Sequence, residues 1–155
     1  SLVDKAPNLA GLCRTAEVFA CEKLVLPDDR CARTKEFKAI AVTAERWIAT
    51  EAVAPRDLRP WLLSLKARGY AVVALEQATN STSLAGDAEL PSPAVLLLGR
   101  EKEGVPGDLM DLCDVCVEIP QLGVVRSLNV HVSGALAIWH FARQWMARQR
   151  RGGGE

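Results

Sequence analysis

Apolar residues follow two rhythms along this chain. Continuous runs such as Ala71-Val72-Val73-Ala74-Leu75 and Ala94-Val95-Leu96-Leu97-Leu98 mark strands covered on both faces, as in parallel sheets. By contrast, Leu58, Trp61, Leu62 and Leu65 recur at helical spacing, and Gly69 closes that helix over 56–67. The same reading predicts the end of a strand at 1–3, a helix over 8–19 with Asn8 as its N-cap, and a strand at 23–26 stopped by Pro27-Asp28-Asp29. It continues with a short helix within 35–42, a strand at 47–53, strands at 70–75 and 94–98, and a short helix at 106–112 opened by Pro106. A strand at 115–119 and a long helix from Ser127 to about 148 complete the chain.

Strands and helices in alternation imply an α/β fold, a three-layer sandwich with a mainly parallel sheet. The 155 residues suffice for one domain, expected to span 1–149. The stretch 79–93, rich in Ser, Asn, Gly and Pro, reads as the main internal loop. The tail Arg150-Arg151-Gly152-Gly153-Gly154-Glu155 reads as a disordered end or linker.

Composition narrows the function classes. With 19 basic and 19 acidic residues the formal charge is zero, which weighs against a simple nucleic-acid binder. Arg143, Arg148, Arg150 and Arg151 nevertheless crowd the C-terminal helix; they fit a solvated helix end or a phosphate-contacting patch. Five cysteines at irregular spacing give no disulfide framework, so an intracellular setting, cytoplasmic or nuclear, is expected. Cys113-x-x-Cys116 stands without a second such pair and reads as structural. No apolar run is long enough for a membrane span, and no signal peptide is visible. The start at Ser1 fits a piece of a longer protein, or equally a processed or engineered end.

The glycine fingerprints of dinucleotide binding and of the P-loop are absent after every predicted strand. Three other segments stand out. Pro7-Asn8-Leu9-Ala10-Gly11-Leu12-Cys13-Arg14 puts an Asn at a helix start and an Arg further along it, able to share a cleft if Asn8 lies in the entering loop. Leu98-Gly99-Arg100-Glu101-Lys102-Glu103-Gly104-Val105-Pro106 follows an apolar strand; its glycines allow close backbone approach, and Glu101 can accept hydrogen bonds from sugar or base. Ile119-Pro120-Gln121-Leu122-Gly123-Val124-Val125-Arg126-Ser127-Leu128-Asn129-Val130 leads from a strand through a glycine-containing loop into a helix whose free N–H groups can hold a polar ligand. Taken singly, each also fits a structural part: a cap with a surface charge, a charged turn, an N-cap.

Together, in this order, the three segments resemble the motifs of the SpoU family, the SPOUT-class RNA ribose 2′-O-methyltransferases. The resemblance runs from Asn8 to the end of the last helix, and Ser127-Leu128-Asn129-Val130 is its most specific piece. Cys116-Val117-Glu118-Ile119-Pro120 and Val130-His131-Val132-Ser133-Gly134-Ala135 resemble the eukaryotic branch that methylates guanosine 18 of tRNA. Two positions depart from the pattern: Ala10 where Gly is common, with Gly11 next, and Ala20 where a helix-ending Gly is common. The resemblance implies a deep C-terminal trefoil knot, a homodimer with Trp139, Phe141 and Met146 as candidate interface, and an RNA substrate. It implies S-adenosyl-L-methionine as cofactor and S-adenosylhomocysteine as product, with no metal. Arg14, Asn8, Glu101, Ser127 and Asn129 would form the catalytic shell. Leu98, Gly99, Glu101, Gly104, Ile119, Gln121, Gly123, Ser127, Leu128 and Asn129 would hold the cofactor. His131 and His140 are read as packing or interface residues. The competing function is a catalytically silent RNA-binding or dimerisation module.

Overall fold

Strand and helix alternate in the computed structural model, which describes residues 2–86, 88–125 and 127–152. The helices are α1 (Ala6–Val18), α2 (Lys35–Ala41), α3 (Leu58–Ala67), α4 (Gly107–Met110) and α5 (Val130–Gly152). The strands are β1 (Lys23–Leu26), β2 (Ala49–Ala52), β3 (Ala71–Leu75), β4 (Thr82–Ser83), β5 (Ala94–Leu98) and β6 (Val115–Glu118). All strand pairings among the described residues are parallel: β1 pairs β2, and a four-stranded sheet runs β4-β6-β3-β5.

The apolar run of β3 serves both faces of this sheet. Val72 joins Leu58 and Leu62 of α3 and Leu109 of α4, whereas Val73 joins Leu90, Val117 and Phe141 of α5. Neighbouring residues point to opposite sides, as the pleat requires, and helices cover both faces. A third cluster packs α1, through Leu9, Leu12 and Cys13, against Phe37 of α2 and Leu26 of β1. An apolar cavity of about 570 Å³ lies between the edges of the two sheets, lined by Leu24 and Val25 of β1 and Leu96 and Leu97 of β5.

Several boundaries differ from the sequence reading. Helix α1 starts at Ala6 with Lys5 in the capping place and Pro7 in the first turn, so Asn8 is inside the helix and is not its cap. Leu2 and Val3 are in no strand, although both are buried and enter different clusters. The predicted strand at 47–53 shrinks to Ala49–Ala52, and the 79–93 loop holds the two-residue β4. Helix α5 opens at Val130 and continues past 148 to Gly152; Gly153 to Glu155 lie outside the described residues.

Helix α5 also grips the segment before β5. The His140 ring nitrogen is 2.9 Å from the Ala88 carbonyl. The Gln144 side chain accepts from Leu90 N at 2.8 Å and donates to Leu90 O at 2.6 Å. Arg148 donates to Glu89 at 2.7 Å. Spacing of four residues puts all three side chains on one face.

Candidate active site

The segment after β5 turns back on itself. Arg100 and Gly104 exchange two backbone hydrogen bonds of 2.9 Å, leaving Glu101, Lys102 and Glu103 at the tip. A Cβ on Gly99 would lie 2.5 Å from the Gly104 carbonyl carbon, so the two limbs close only over a glycine. Gly104 has a φ of +69°, and a Cβ there would stand 2.4 Å from a Glu76 carboxylate oxygen.

This turn meets the other two motifs through side chains. Asn129 Nδ2 donates to Asn8 Oδ1 at 2.9 Å, and Asn8 Nδ2 donates to Glu101 Oε1 at 2.9 Å. Lys5 donates to the second Glu101 oxygen. Asn8 is only 7% exposed, and a buried carboxamide is stable there because both its ends are satisfied. The Lys5 hydrogen bond, and after it the one from Asn8, holds the Glu101 carboxyl below its ordinary value, while Glu101 raises Lys5. Asn129 Oδ1 also accepts from His131 N at 2.9 Å. Asn129, not Ser127, therefore caps α5, and its position fixes both the helix and the network.

Beside the network is a cleft of about 200 Å³ at the C-terminal ends of β3, β5 and β6, the edge where parallel α/β sheets bind ligands. It is lined by Leu98, Gly99, Glu101, Gly104, Ile119, Gln121, Ser127 and Leu128, eight of the ten positions assigned to the cofactor. Asn129 is not in the lining but joins the network through Asn8. Gly123 is exposed, does not line the cleft, and has open space around it. Arg14 is also exposed and away from the lining. With α1 regular from Ala6, Asn8 and Arg14 point about 120° apart around the helix axis, so they do not share a cleft within one chain.

Leu75, Glu76, Gln77, Arg100, Lys102, Glu118, Val130 and Ser133 also line the cleft and were not singled out from sequence. The signal for Glu76 was present: it follows the apolar run of β3 as Gly99 follows that of β5, and both strand ends belong to one sheet edge. Glu118 accepts a hydrogen bond from Ser81 at 2.7 Å.

Neighbouring residues have structural work. The His131 ring lies over Gly11, where a Cβ would be 2.3 Å from Nδ1, and His131 Nε2 is 3.3 Å from Thr15 Oγ1. His140 is 6% exposed. Cys113 Sγ and Cys116 Sγ donate to the Leu109 and Glu76 carbonyls, and burial pushes the Cys113 thiol up to about 11. No group of His, Cys, Asp and Glu suited to a metal ion occurs among the described residues, and no described helix is long and apolar enough to cross a membrane. On α5, Trp139 is 45% exposed and packs on Phe19, the residue that follows α1, with ring centroids 5.4 Å apart. Phe141 is half-buried and packs against the sheet core.

A family model described as the SpoU rRNA Methylase family matches residues 1–139. The chain is 49% identical over 144 residues to the Mus musculus tRNA (guanosine(18)-2′-O)-methyltransferase TARBP1, covering 93% of this chain but 9% of that protein. Among solved structures, the Aquifex aeolicus TrmH/SpoU tRNA modifying enzyme superposes with a TM-score of 0.80 at 25% identity, over 97% of this chain and 73% of that one. The SpoU methyltransferase AviRb from Streptomyces viridochromogenes, solved in complex with the cofactor AdoMet, shares the fold with a TM-score of 0.76 at 20% identity, over 93% of this chain and 58% of that one.

Proposed function

We propose that this chain, which belongs to the SpoU rRNA Methylase family, transfers a methyl group from S-adenosylmethionine to a ribose 2′-OH of tRNA, with guanosine 18 as the target. The observation that carries this reading is the hydrogen-bonded line Asn129, Asn8, Glu101, which ties the three motifs together at the rim of one cleft. A fold-stabilising contact needs no cleft beside it lined by the residues assigned to the cofactor.

The cleft suits the cofactor chemically. Gly99 and Gly104 present bare backbone, Leu75, Ile119 and Leu128 offer apolar cover, and Glu76, Glu118 and Gln121 supply polar edges. These features fit an adenosine, and the carboxylates favour a cationic sulfonium. When bound, S-adenosylmethionine supplies an electrophilic methyl group. Gly99, Ile119 and Leu128 would hold its adenosine, and Ser127, exposed at the cleft, would orient the ribose that receives the methyl.

A ribose hydroxyl must lose its proton as it attacks. A guanidinium is a poor general base, so Arg14 would not take that proton. Exposed as it is, it would engage a neighbouring phosphate and stabilise the developing alkoxide, while a phosphate oxygen or water takes the proton. Because Arg14 does not reach the cleft of its own chain, a homodimer belongs to the same reading. Val132, Leu136 and Trp139 form an exposed apolar stripe on α5 that supports it. A deep trefoil knot formed by the segment from β6 into α5 is part of the reading too, supported by backbone likeness to the family.

Calorimetric titration with S-adenosylhomocysteine tests the cofactor. Binding is expected for the natural chain and is expected to be lost in Leu128→Trp, which fills the cleft. Folded protein that binds nothing would overturn the enzyme reading in favour of a silent RNA-binding or dimerisation module. In a tRNA methyl-transfer assay, Arg14→Ala should keep S-adenosylhomocysteine binding and lose at least about a hundredfold in turnover, the scale of deleting one charge-stabilising donor. Unchanged turnover would remove Arg14 from the site.

A further inference from the structure

Glu76 is the first residue beyond β3, the strand between β6 and β5. Its backbone is fixed to β6: Glu76 N donates to Val117 O at 3.0 Å, and Glu76 O accepts from Cys116 Sγ at 3.4 Å. Its carboxylate reaches the other way. Oε2 accepts from Val105 N at 3.1 Å, at the end of the turn after β5, and Oε1 accepts from Gln77 N at 3.2 Å. The approach is close because Gly104 beside it has no side chain; a Cβ there would overlap Oε2. Both oxygens are thus claimed by backbone N–H groups, and the turn they hold carries Gly99 and Glu101 into the cleft.

We propose that Glu76 is the positioning residue of the 99–105 turn, and through it of the cofactor cleft. This rests on the function proposed above. Only an acceptor-only side chain serves both N–H groups. A glutamine of the same shape has one carbonyl oxygen, so in either orientation its NH₂ opposes one backbone donor. A partly buried donor without a partner is costly enough to loosen the turn.

Glu76→Met, of similar length but without oxygen acceptors for either N–H group, tests this with three readouts on the 155-residue chain. Hydrogen exchange of the Val105 amide, followed without ligand, should speed up about tenfold, and the Kd for S-adenosylhomocysteine should rise about tenfold, the scale of one broken partly buried hydrogen bond. The melting temperature should stay within a few degrees, because the strand pairing of β3 is untouched. Unchanged exchange at Val105 overturns the proposal, as does faster exchange with unchanged affinity. A variant that no longer folds overturns it too, since Glu76 would then hold up the whole fold. If the natural chain itself binds no S-adenosylhomocysteine, the functional reading falls, while exchange at Val105 still decides whether Glu76 holds the turn.

Discussion

Ala20 closes α1 at a φ of 53°. The reason lies in the hydrogen bonds around it: Cys21 N reaches Ala16 O at 2.8 Å and Ala20 N reaches Glu17 O at 2.9 Å, the paired bonds of a Schellman end, which place this residue in the left-handed region. A side chain there costs about 1–2 kcal/mol. Ala20→Gly should therefore stabilise the chain by ~1 kcal/mol in urea denaturation. Gly11 shows the opposite constraint. Gly11→Ala drives a methyl into the His131 ring and should cost about 1–3 kcal/mol, and much less in a His131→Ala background, a non-additivity that a double-mutant cycle would read. Residue types were legible before their jobs. Asn8, Glu101 and Asn129 stood out by resemblance, but Asn8 looked like a cap because a side chain with two hydrogen-bonding ends advertises the local use first. Its actual partners lie 93 and 121 residues away along the chain. Glu76 follows an apolar run as Gly99 does, but periodicity does not tell which strand ends meet, so its tie to Val105 was not legible.

At the scale of elements, continuous apolar runs located β3, β5 and β6 closely, since burial on both faces leaves a strong pattern. The two-residue β4 left none, and the division into two sheets depends on which strands meet, which periodicity does not carry. Helix α5 starts three residues beyond Ser127 because Asn129 satisfies the first free N–H groups. Between elements, Asp114 ties β6 to β3 by accepting from Val72 N at 2.8 Å and from Lys66. The Lys66 hydrogen bond, and after it that of Val72, holds the Asp114 carboxyl below its ordinary value of 3.8. A lowered folded value means the contribution is complete above 3.8 and is lost as pH falls through the lower folded value. Asp114→Asn should accordingly melt earlier than the natural chain at neutral pH, and the two melting curves should converge only in more acidic solution. Parallel curves at every pH would remove the carboxylate from this role.

Across the whole molecule, the site is a meeting of distant parts: one strand end supplies the turn, another the post that holds it, and the start of α5 the cap. Val132, Leu136 and Trp139 form an apolar stripe of α5 that the chain's own core leaves partly uncovered. If it joins two copies, Leu136→Glu should convert a dimer to a monomer in sedimentation velocity while S-adenosylhomocysteine binding persists; an unchanged sedimentation coefficient would place any interface elsewhere.

The grip of His140, Gln144 and Arg148 on residues 88–90 lies beyond residue 139, where the family match ends. A chain trimmed at 139 should still contain every motif, yet limited proteolysis should cut it within 84–93, where the full chain resists. The same geometry orders events on the ribosome. The middle of the chain is made early, but its Leu90 amide and carbonyl find their partner only when Gln144 has been added and has emerged. Until then that stretch is an open edge for chaperones or stray strands to occupy, and α5, made some fifty residues later, is the helix that closes it.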